Sequence, residues 1–261
     1  LAGRLAATGY RVALVDRDEV GLETTADRLA PAAGGHETVA MDVADAAAWR
    51  RLAEAISDGG ADVALSVHAA GVLAAGPVAD TNAETIQRLV EVNLTGVLLG
   101  FAALAPMQIA AAERGGAATP PPLPRGVLSV ASIFASVAPP WFAAYSASKA
   151  GVVAATESLR GELRPHGLTA TVVLPGVTRT GLFGRATYTS DAVGDAVGAY
   201  AEHASLSADE VAAAALRHYA RGRAVATVGG RAGRFHLLKR LLGGRVTDAV
   251  ARKTLRALNG D

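Results

Sequence analysis

The pair of residues whose types and spacing suggest chemistry is Tyr145 and Lys149, which lie four positions apart. On an α-helix, residues four apart lie on the same face, so the phenol and the ammonium would be neighbours. A nearby cation favours the phenolate and lowers the phenol pKa from its reference value near ~10. The pair is therefore suited to exchanging a proton with an alcohol or a ketone near neutral pH. A surface Tyr next to a surface Lys is the commoner case across proteins, although a chain with only three lysines meets this spacing by chance less often. The pair alone is a weak signal, and the residues around it decide between the two interpretations.

These residues need a scaffold, and the chain alternates short β-type runs with segments of helical periodicity. Such alternation predicts an α/β fold, with a Rossmann-type doubly wound parallel sheet flanked by helices in a single domain. Predicted strands cover 11–16, 38–41, 61–67, 127–131, 169–174 and 224–228. Predicted helices cover 20–29, 46–56, 82–112, 143–163 and 208–220, and residues 1–8 form the tail of another.

Three stretches of the chain depart from the strand–helix alternation or could be read in a second way. The Pro-rich segment 115–125 predicts an exposed loop, because proline removes a backbone donor and fixes φ; a Pro-rich recognition site is the less favoured alternative. The segment 178–206 lacks clear periodicity and predicts a mobile loop or lid. The uncharged run 92–112 is long enough to cross a membrane, which takes about 20 residues. Its polar residues and its place in the alternation favour a helix buried in a core or a subunit interface.

Composition and charge exclude several classes of function. A chain of 261 residues suits one large α/β domain and can bury a sizeable core. Its formal net charge of +1 gives no support for nucleic acid as a partner. Without cysteine it has no disulfide framework, no thiolate catalysis and no cysteine-ligated metal, and we expect no metal site. The same absence is compatible with a reducing cytoplasm, which is the localisation we expect.

Taken together, these features resemble the short-chain dehydrogenase/reductase (SDR) family, from the first residues to the strand near 228. The family's Tyr-x-x-x-Lys motif matches Tyr145 and Lys149, and its catalytic Ser late in the preceding strand matches Ser132. The family's Asn on the long helix before that strand matches Asn93, within Val-Asn-Leu-Thr-Gly. The family's Pro-Gly segment, with a Thr close behind it, matches Pro175, Gly176 and Thr180.

The resemblance implies an NAD(P)-dependent oxidoreductase that interconverts a secondary alcohol and a ketone by hydride transfer. Tyr145 would supply or accept the proton, and Lys149 would lower the Tyr145 pKa and hold the nicotinamide ribose. Ser132 would polarise the carbonyl oxygen, where negative charge develops. Asn93 would hold a water that links Lys149 to solvent. The main alternative is a catalytically idle dinucleotide-binding or regulatory protein with the same fold, and the complete set of four residues argues against it.

The choice of cofactor depends mainly on Asp16, which ends the second strand of the family's fold. An acid at this place can accept two hydrogen bonds from the adenosine ribose and repels a 2′-phosphate, so it favours NAD over NADP. The plain alternative is a turn acid at a strand end. Arg17 keeps NADP as an alternative, since an Arg there could reach a phosphate. By resemblance, the other cofactor-binding residues are Asp42, Val43, His68, Ala70, Gly71, Tyr145, Lys149, Pro175, Gly176, Thr178 and Thr180.

The sequence departs from the family at two places. The family's first strand and Gly-rich turn, whose backbone N–H groups bind the pyrophosphate, should immediately precede residues 1–8. We therefore expect an N-terminally truncated dinucleotide-binding domain over 1–230, and weak or no NAD binding if the chain is complete. The strands that end at Asp16 and His68 should then be separated by a gap or pair with each other. His68-Ala-Ala-Gly71 replaces the family's Asn-Asn-Ala-Gly, and we expect His68 to pack at a strand end rather than move protons.

The apolar residues between Ser132 and Tyr145, together with those of the later loop, predict a lipophilic substrate. By position in the family, the substrate would be lined by Phe134, Trp141, Phe142, Leu182 and Phe183. A steroid-like, terpenoid or aromatic ketone or alcohol would suit such a lining. The alternative is that these side chains belong to the core or pack a lid.

The segment 231–261 reads as a basic amphipathic helical extension of the same domain. Between 231 and 256 it holds eight Lys or Arg against Asp248, interleaved with leucines and valines. An apolar side docked on the domain or on a sister subunit is favoured over contact with an anionic membrane surface. We expect a homodimer or homotetramer that acts on a small molecule.

Overall fold

The computed structural model describes residues 1–115, 123–202 and 206–259, with side chains to residue 256. The strands are β1 (Ala13–Asp16), β2 (Glu37–Ala40), β3 (Leu65–His68), β4 (Ala74–Ala75), β5 (Gly126–Val130), β6 (Thr169–Pro175), β7 (Thr178–Arg179), β8 (Thr187–Tyr188), β9 (Leu206–Ser207) and β10 (Val225–Val228). The helices are α1 (Ala2–Ala7), α2 (Glu19–Ala26), α3 (Ala46–Asp58), α4 (Ala83–Val90), α5 (Gly96–Glu113), α6 (Phe134–Val137), α7 (Ala143–Leu163), α8 (Asp191–Glu202), α9 (Ala208–Ala220), α10 (Gly230–Leu242) and α11 (Gly244–Asn259).

The main sheet consists of four parallel strands in the order β10-β6-β5-β3. The two middle strands are mostly apolar and almost entirely buried, as expected where both faces are covered. Val127 and Val172 face α5 and α7, whereas Leu128 and Val173 face α9 on the other side, and all four are fully buried. Helices on both faces of a parallel sheet confirm the predicted doubly wound α/β fold.

The strands β1 and β2 form a separate two-stranded parallel sheet, in which Asp16 is paired with Ala40. Within the described residues β1 pairs only with β2, and β3 pairs only with β5. The gap expected between the strands ending at Asp16 and His68 is therefore present, and the two strands have not paired. The small sheet is held instead by packing, because Met41, Trp49 and Leu104 share one buried cluster.

The predicted helix 82–112 is a continuous helical run made of α4, a π-helical turn at Glu91–Thr95 and α5. By length and composition, the run Ala83–Glu113 would suffice to cross a membrane. Its side chains Val97, Phe101 and Ala105 instead pack in the central cluster against β5, β6 and α7. The run is therefore a core helix of the fold, as its place in the alternation predicted.

The predictions for the segments 178–206 and 115–125 differ from the structure or lie partly outside the described residues. The segment 178–206 is not an irregular loop throughout, because it contains α8, whose Val193 and Val197 are buried in a core cluster. Gly194 and Gly198, with several alanines, hid the helical period in the sequence. Most of the predicted Pro-rich loop lies outside the described residues, at 116–122.

The C-terminal extension is a hairpin of two helices, α10 and α11. On α10, Ala232 is buried and Phe235 packs against the core cluster that contains α6 residues. On α11, Val246 is buried, and the helix also contacts α8. The apolar residues of the extension are thus docked only in part.

Candidate active site

The candidate site is a cleft of about 510 Å³ at the carboxyl ends of the parallel strands. In open α/β sheets this edge carries the binding crevice, because strand ends and the loops after them meet there. Asp16 ends β1, Gly71 follows β3, Ser132 follows β5 and Gly176 follows β6, and all four line the cleft. The order of strands and helices therefore gathers residues that are far apart in sequence.

Tyr145 lies in the first turn of α7, with only 5% of its surface exposed. Its ring meets Phe134 edge to face, with 6.2 Å between the ring centroids. Burial raises the pKa of Tyr145, and a side-chain hydrogen bond with Ser132 acts in the opposite direction. Ser132 also accepts a bond from the Phe134 N–H at 3.2 Å, which fixes its hydroxyl beside the phenol.

Lys149 lies one turn further along α7, as its spacing predicted, and is buried. Its Nζ donates to the Val130 carbonyl at 3.2 Å, and burial lowers the pKa of Lys149 to about 8. Gly71 approaches closely: a Cβ at that position would lie 3.1 Å from Lys149 Nζ and 3.2 Å from Asn93 Oδ1. A larger residue at position 71 would therefore push on the ammonium.

Burial acts on Tyr145 and Lys149 in the direction opposite to the predicted effect of Lys149 on the phenol, and that effect stays a prediction. Burial raises the pKa of Tyr145, and it lowers the pKa of Lys149. Both shifts have the same cause, since removing a group from water disfavours its charged form. The Tyr145 phenol is thus held in its protonated form at neutral pH.

Asn93 sits in the π-helical turn and is completely buried. Its Oδ1 accepts from the Val72 N–H at 2.8 Å, and its Nδ2 donates to the Val72 carbonyl at 2.9 Å and to Ser148 Oγ at 3.0 Å. The amide therefore fixes the loop after β3 against α7, next to Lys149. The structure shows this positioning role, and the predicted water-holding role of Asn93 stays a prediction.

His68 does not belong to the cofactor-binding group in which the resemblance placed it. Its ring packs edge to face on Phe101, with 5.0 Å between centroids, and lies near Trp49. Its Nε2 is 3.2 Å from Ser66 Oγ, and burial lowers the pKa of His68 to about 4. His68 is thus a neutral strand-end residue packed by its neighbours, as expected, and its side chain is not part of the cleft lining.

The remaining predicted cofactor-binding residues all line the cleft. Asp16 is exposed there, although its Oδ1 also accepts from the Asp18 N–H at 3.1 Å, the bond expected of a turn acid. Burial opposes ionisation of Asp42, but bonds from the Ala44 N–H and from Arg88 outweigh it and lower the pKa of Asp42. The other predicted lining residues are Val43, Ala70, Gly71, Pro175, Gly176, Thr178 and Thr180.

The substrate end of the cleft was predicted only in part. Phe134, Leu182 and Phe183 line it, whereas Trp141 and Phe142 do not. Phe142 is a core residue, 2% exposed, with its ring centroid 4.9 Å from that of Phe134. Trp141 has a left-handed backbone, with a φ of 74°, and its side chain packs on the core cluster that contains Phe142. Proximity in sequence to Tyr145 was not enough to place them.

Several lining residues were missed because no motif marks them. Val72 and Leu73 directly follow the Gly71 turn, and that adjacency is the signal that could have found them. Arg88 lies on α4 and reaches Asp42 at 2.6 Å across 46 residues, which no local pattern reveals. Arg185 also lines the cleft, in the segment predicted as a loop.

The residues present fit a nicotinamide dinucleotide at both of its ends. An exposed carboxylate at the end of β1 suits a ribose, and Lys149 with Tyr145 suits a second ribose and a reacting carbon. Gly176 and Thr178 adjoin that second end. Between the two ends, the described residues contain no Gly-rich turn to bind the pyrophosphate.

Comparison with known proteins identifies the family, because the family described as short chain dehydrogenase matches residues 1–190. This chain belongs to the short-chain dehydrogenase family. Its fold is that of a solved short chain dehydrogenase/reductase from Burkholderia phymatum in complex with NAD. The TM-score is 0.76 at 25% identity, covering 90% of this chain and 85% of that one. The family and fold predicted from the sequence are confirmed.

Curated relatives of this short-chain dehydrogenase carry different names. D-threitol dehydrogenase of Mycolicibacterium smegmatis is 31% identical over 182 residues, covering 70% of this chain and 66% of that protein. The inactive 2-(S)-hydroxypropyl-CoM dehydrogenase 2 of Xanthobacter autotrophicus is 35% identical over 190 residues, covering 70% and 74%. The chain spans less than two thirds of several relatives, down to 28%.

Proposed function

We propose that this short-chain dehydrogenase interconverts a secondary alcohol and a ketone with NAD(P). The observation that carries the proposal is the shared cleft of Ser132 and Tyr145, with buried Lys149 one helical turn behind. A phenol and a hydroxyl that line the same cleft can both reach an oxygen atom of a bound substrate. This placement suits proton transfer to that oxygen.

A nicotinamide dinucleotide bound in the cleft would supply the hydride for reduction or accept it for oxidation. Tyr145 holds its proton at the phenol oxygen and gives it to the carbonyl oxygen as charge develops there. Ser132 donates a hydrogen bond to the same oxygen and orients the carbonyl. Lys149 keeps a positive charge behind the phenol, which stabilises the phenolate once the proton has left.

Replacement of Tyr145 by Phe tests this role. The variant keeps the ring that packs on Phe134 but has no proton to give, so kcat should fall by about 100-fold or more. Steady-state kinetics measure the change, and thermal unfolding checks that the fold is kept. Tyr200→Phe is the matched control, because Tyr200 is 42% exposed and is not part of the cleft lining. Unchanged turnover in Tyr145→Phe would refute the proposed mechanism.

NAD is the proposed cofactor, because the Asp16 carboxylate stands at the end of β1 inside the cleft. NADP is the alternative, since Arg17 lines the same region. Asp16→Ala should raise the KM for NAD about tenfold, the equivalent of one charge-assisted hydrogen bond, and leave the KM for NADP unchanged or lower. Asp18→Asn is the control in the same turn, because Asn keeps the cap on α2. Equal effects of the two variants would contradict the role of Asp16.

A lipophilic substrate is supported by the apolar residues at the Tyr145 end of the cleft. Ile133, Phe134, Leu182 and Phe183 have no side-chain group to pair with substrate hydroxyls, and an unpaired buried hydroxyl is costly. A polyol is the second candidate, because relatives are named D-threitol dehydrogenase and galactitol 2-dehydrogenase. Initial rates with hydroxysteroids, aromatic alcohols and polyols distinguish the two. Turnover confined to polyols would overturn the lipophilic proposal.

The catalytically idle alternative keeps one supporting observation, the relative named inactive. The two readings differ in a measurement that needs no knowledge of the substrate's exact structure. An enzyme shows substrate-dependent NADH formation that Tyr145→Phe abolishes. An idle binding protein shows NAD binding by calorimetry, but no turnover with any of the alcohols in either the wild type or the variant.

We also propose that the protein forms a homodimer or homotetramer. A groove of about 360 Å³ between α5 and α7 is lined by apolar and small residues, with Glu162 as its one charged lining residue. Leu98, 46% exposed, lies at the groove beside Pro106 and Ser158. Small residues let helices approach closely, so the same helix pair of a second copy fits this surface.

A further inference from the structure

The C-terminal hairpin exposes a row of large apolar side chains on one side of α10. Residues 237 and 241, and likewise 238 and 242, are four apart, so they form two adjacent rows on the same side of the helix. An adjoining side of α10 is docked through Ala232 and Phe235. We call the exposed row the leucine face; its members are Leu237 (57% exposed), Leu238 (42%), Leu241 (70%) and Leu242 (49%).

The exposure of the leucine face bears on whether the apolar side of the extension docks on the domain or forms a separate interaction surface. Single exposed leucines are ordinary on protein surfaces, but four contiguous ones mark an interaction site. Docking of α10 on the domain accounts for its buried side alone. The predicted docking of the apolar side on the domain therefore does not extend to the leucine face, and its predicted docking on a sister subunit stays a prediction.

The residues around the leucine face are basic. Arg231 and Arg234 are exposed and lie on the same side of α10, at helical spacing before the leucines. Arg245 is exposed just after the turn between α10 and α11. The segment 231–261 holds eight Lys or Arg and two Asp, whereas the whole chain has a net charge of only +1. Residues 1–230 therefore carry a net negative charge, and the hairpin is a positive pole on an acidic body.

We propose that the leucine face and its arginines bind an anionic lipid surface. Leucines enter the boundary between headgroups and acyl chains, while arginine stems lie along apolar surface and the guanidinium groups reach the phosphates. Basic residues near a membrane add attraction to anionic lipids. The acidic body is repelled by the same lipids, so only the hairpin can approach, and the charge distribution fixes the orientation.

A second copy of the chain is a poorer occupant of this face. A two-fold contact pairs the patch with itself, so Arg231 and Arg234 of one copy would be brought against a surface that carries the same positive charge. Like charges brought together in this way repel, and between residues 231 and 256 the sequence has Asp248 as the single acid to offset them. Anionic headgroups are mobile and can pair with each arginine separately.

The hairpin adjoins the substrate end of the cleft. α10 packs on α6, and His236 Nδ1 lies 2.8 Å from Ser136 Oγ. Phe134, the first residue of α6, lines the cleft. A hairpin held on a bilayer would thus keep this end of the cleft near the lipid. The lipid proposal nevertheless stands on the hairpin alone and does not depend on the proposed reaction.

Co-sedimentation with vesicles tests the proposal on the full chain. Vesicles of phosphatidylcholine alone are compared with vesicles of phosphatidylcholine and phosphatidylserine in equal proportion, at low and at high salt. The wild type should bind the anionic vesicles and be released by high salt, because salt screens the attraction. Leu237→Ser with Leu241→Ser, and separately Arg231→Gln with Arg234→Gln, should each weaken binding about tenfold.

The matched control is Val20→Ser with Arg50→Gln, an exposed valine and an exposed arginine away from the hairpin, which should bind like the wild type. Thermal unfolding checks that each variant is folded. Failure of the wild type to bind anionic vesicles, or equal binding by the leucine variant, would overturn the proposal. A leucine variant that changes the oligomer mass by light scattering would assign the face to a second copy instead.

Discussion

At the scale of single residues, the site is defined by what burial does to two neighbouring groups. Sequence spacing placed Tyr145 and Lys149 on one face of α7, and both have 5% of their surface exposed. Spacing could not show the depth of burial, which decides the direction of each pKa shift. The resting site therefore has a protonated phenol and an ammonium whose charge is costly to keep.

The pKa of Lys149, lowered to about 8, predicts a dependence of stability on pH. The unfolded chain binds this proton up to pH ~10.4, whereas the folded chain releases it near pH 8, so the contribution of Lys149 to stability rises with pH between these values. Lys149→Met should be more stable than the wild type at pH 7, by up to about 3 kcal/mol, and lose that advantage toward pH 10. Urea unfolding at several pH values measures the difference.

Lys253→Met is the control for the loss of a lysine charge, because Lys253 is exposed on α11. Substitutions at exposed positions have small effects, so its free energy of unfolding should stay within about 0.5 kcal/mol of that of the wild type. A constant difference between the wild type and Lys149→Met from pH 7 to 10 would mean that the lysine is not desolvated as the structure indicates.

At the scale of elements, the regular parts of the fold were predictable because their patterns are local. The predicted helix 143–163 matches α7 to the residue, and each strand of the main sheet was predicted within a few residues of its observed bounds. Apolar periodicity and capping residues lie in the segment itself, so they can be read without knowing what packs on it. The family motifs then fixed the roles of the elements.

What could not be predicted depends on long-range packing. The π-helical turn that carries Asn93 continues the helical pattern of its neighbours, and only the bonds to Val72 and Ser148 reveal its purpose. Trp141 packs on a core cluster and has a left-handed backbone, neither of which a residue preference at that position indicates. Such features appear when segments far apart in sequence meet.

At the scale of the whole molecule, the β1–β2 sheet is joined to the main sheet by helix packing rather than by a strand. Trp49 on α3 and Leu104 on α5 share a cluster with Met41, so the β1–β2 unit stays attached to the main sheet. The cleft crosses this junction, with Asp16 on one sheet and Ser132 on the other. Its width depends on that packing, and the weak NAD binding expected if the chain is complete stays a prediction.

Self-association gives the last prediction at this scale. Leu98 is the most exposed large apolar residue at the groove between α5 and α7, and a charge there would be buried in any contact that uses the groove. Leu98→Asp should therefore shift the protein to monomer, measured as a lower mass by light scattering coupled to gel filtration. Val20→Asp is the matched control, because Val20 is 73% exposed on α2, outside the groove. A mass unchanged by Leu98→Asp, or a monomeric wild type, would show that this groove is not an interface between subunits.

Because the leucine face of α10 lies on a different helix, the same measurement on its serine variants shows whether the two surfaces act independently.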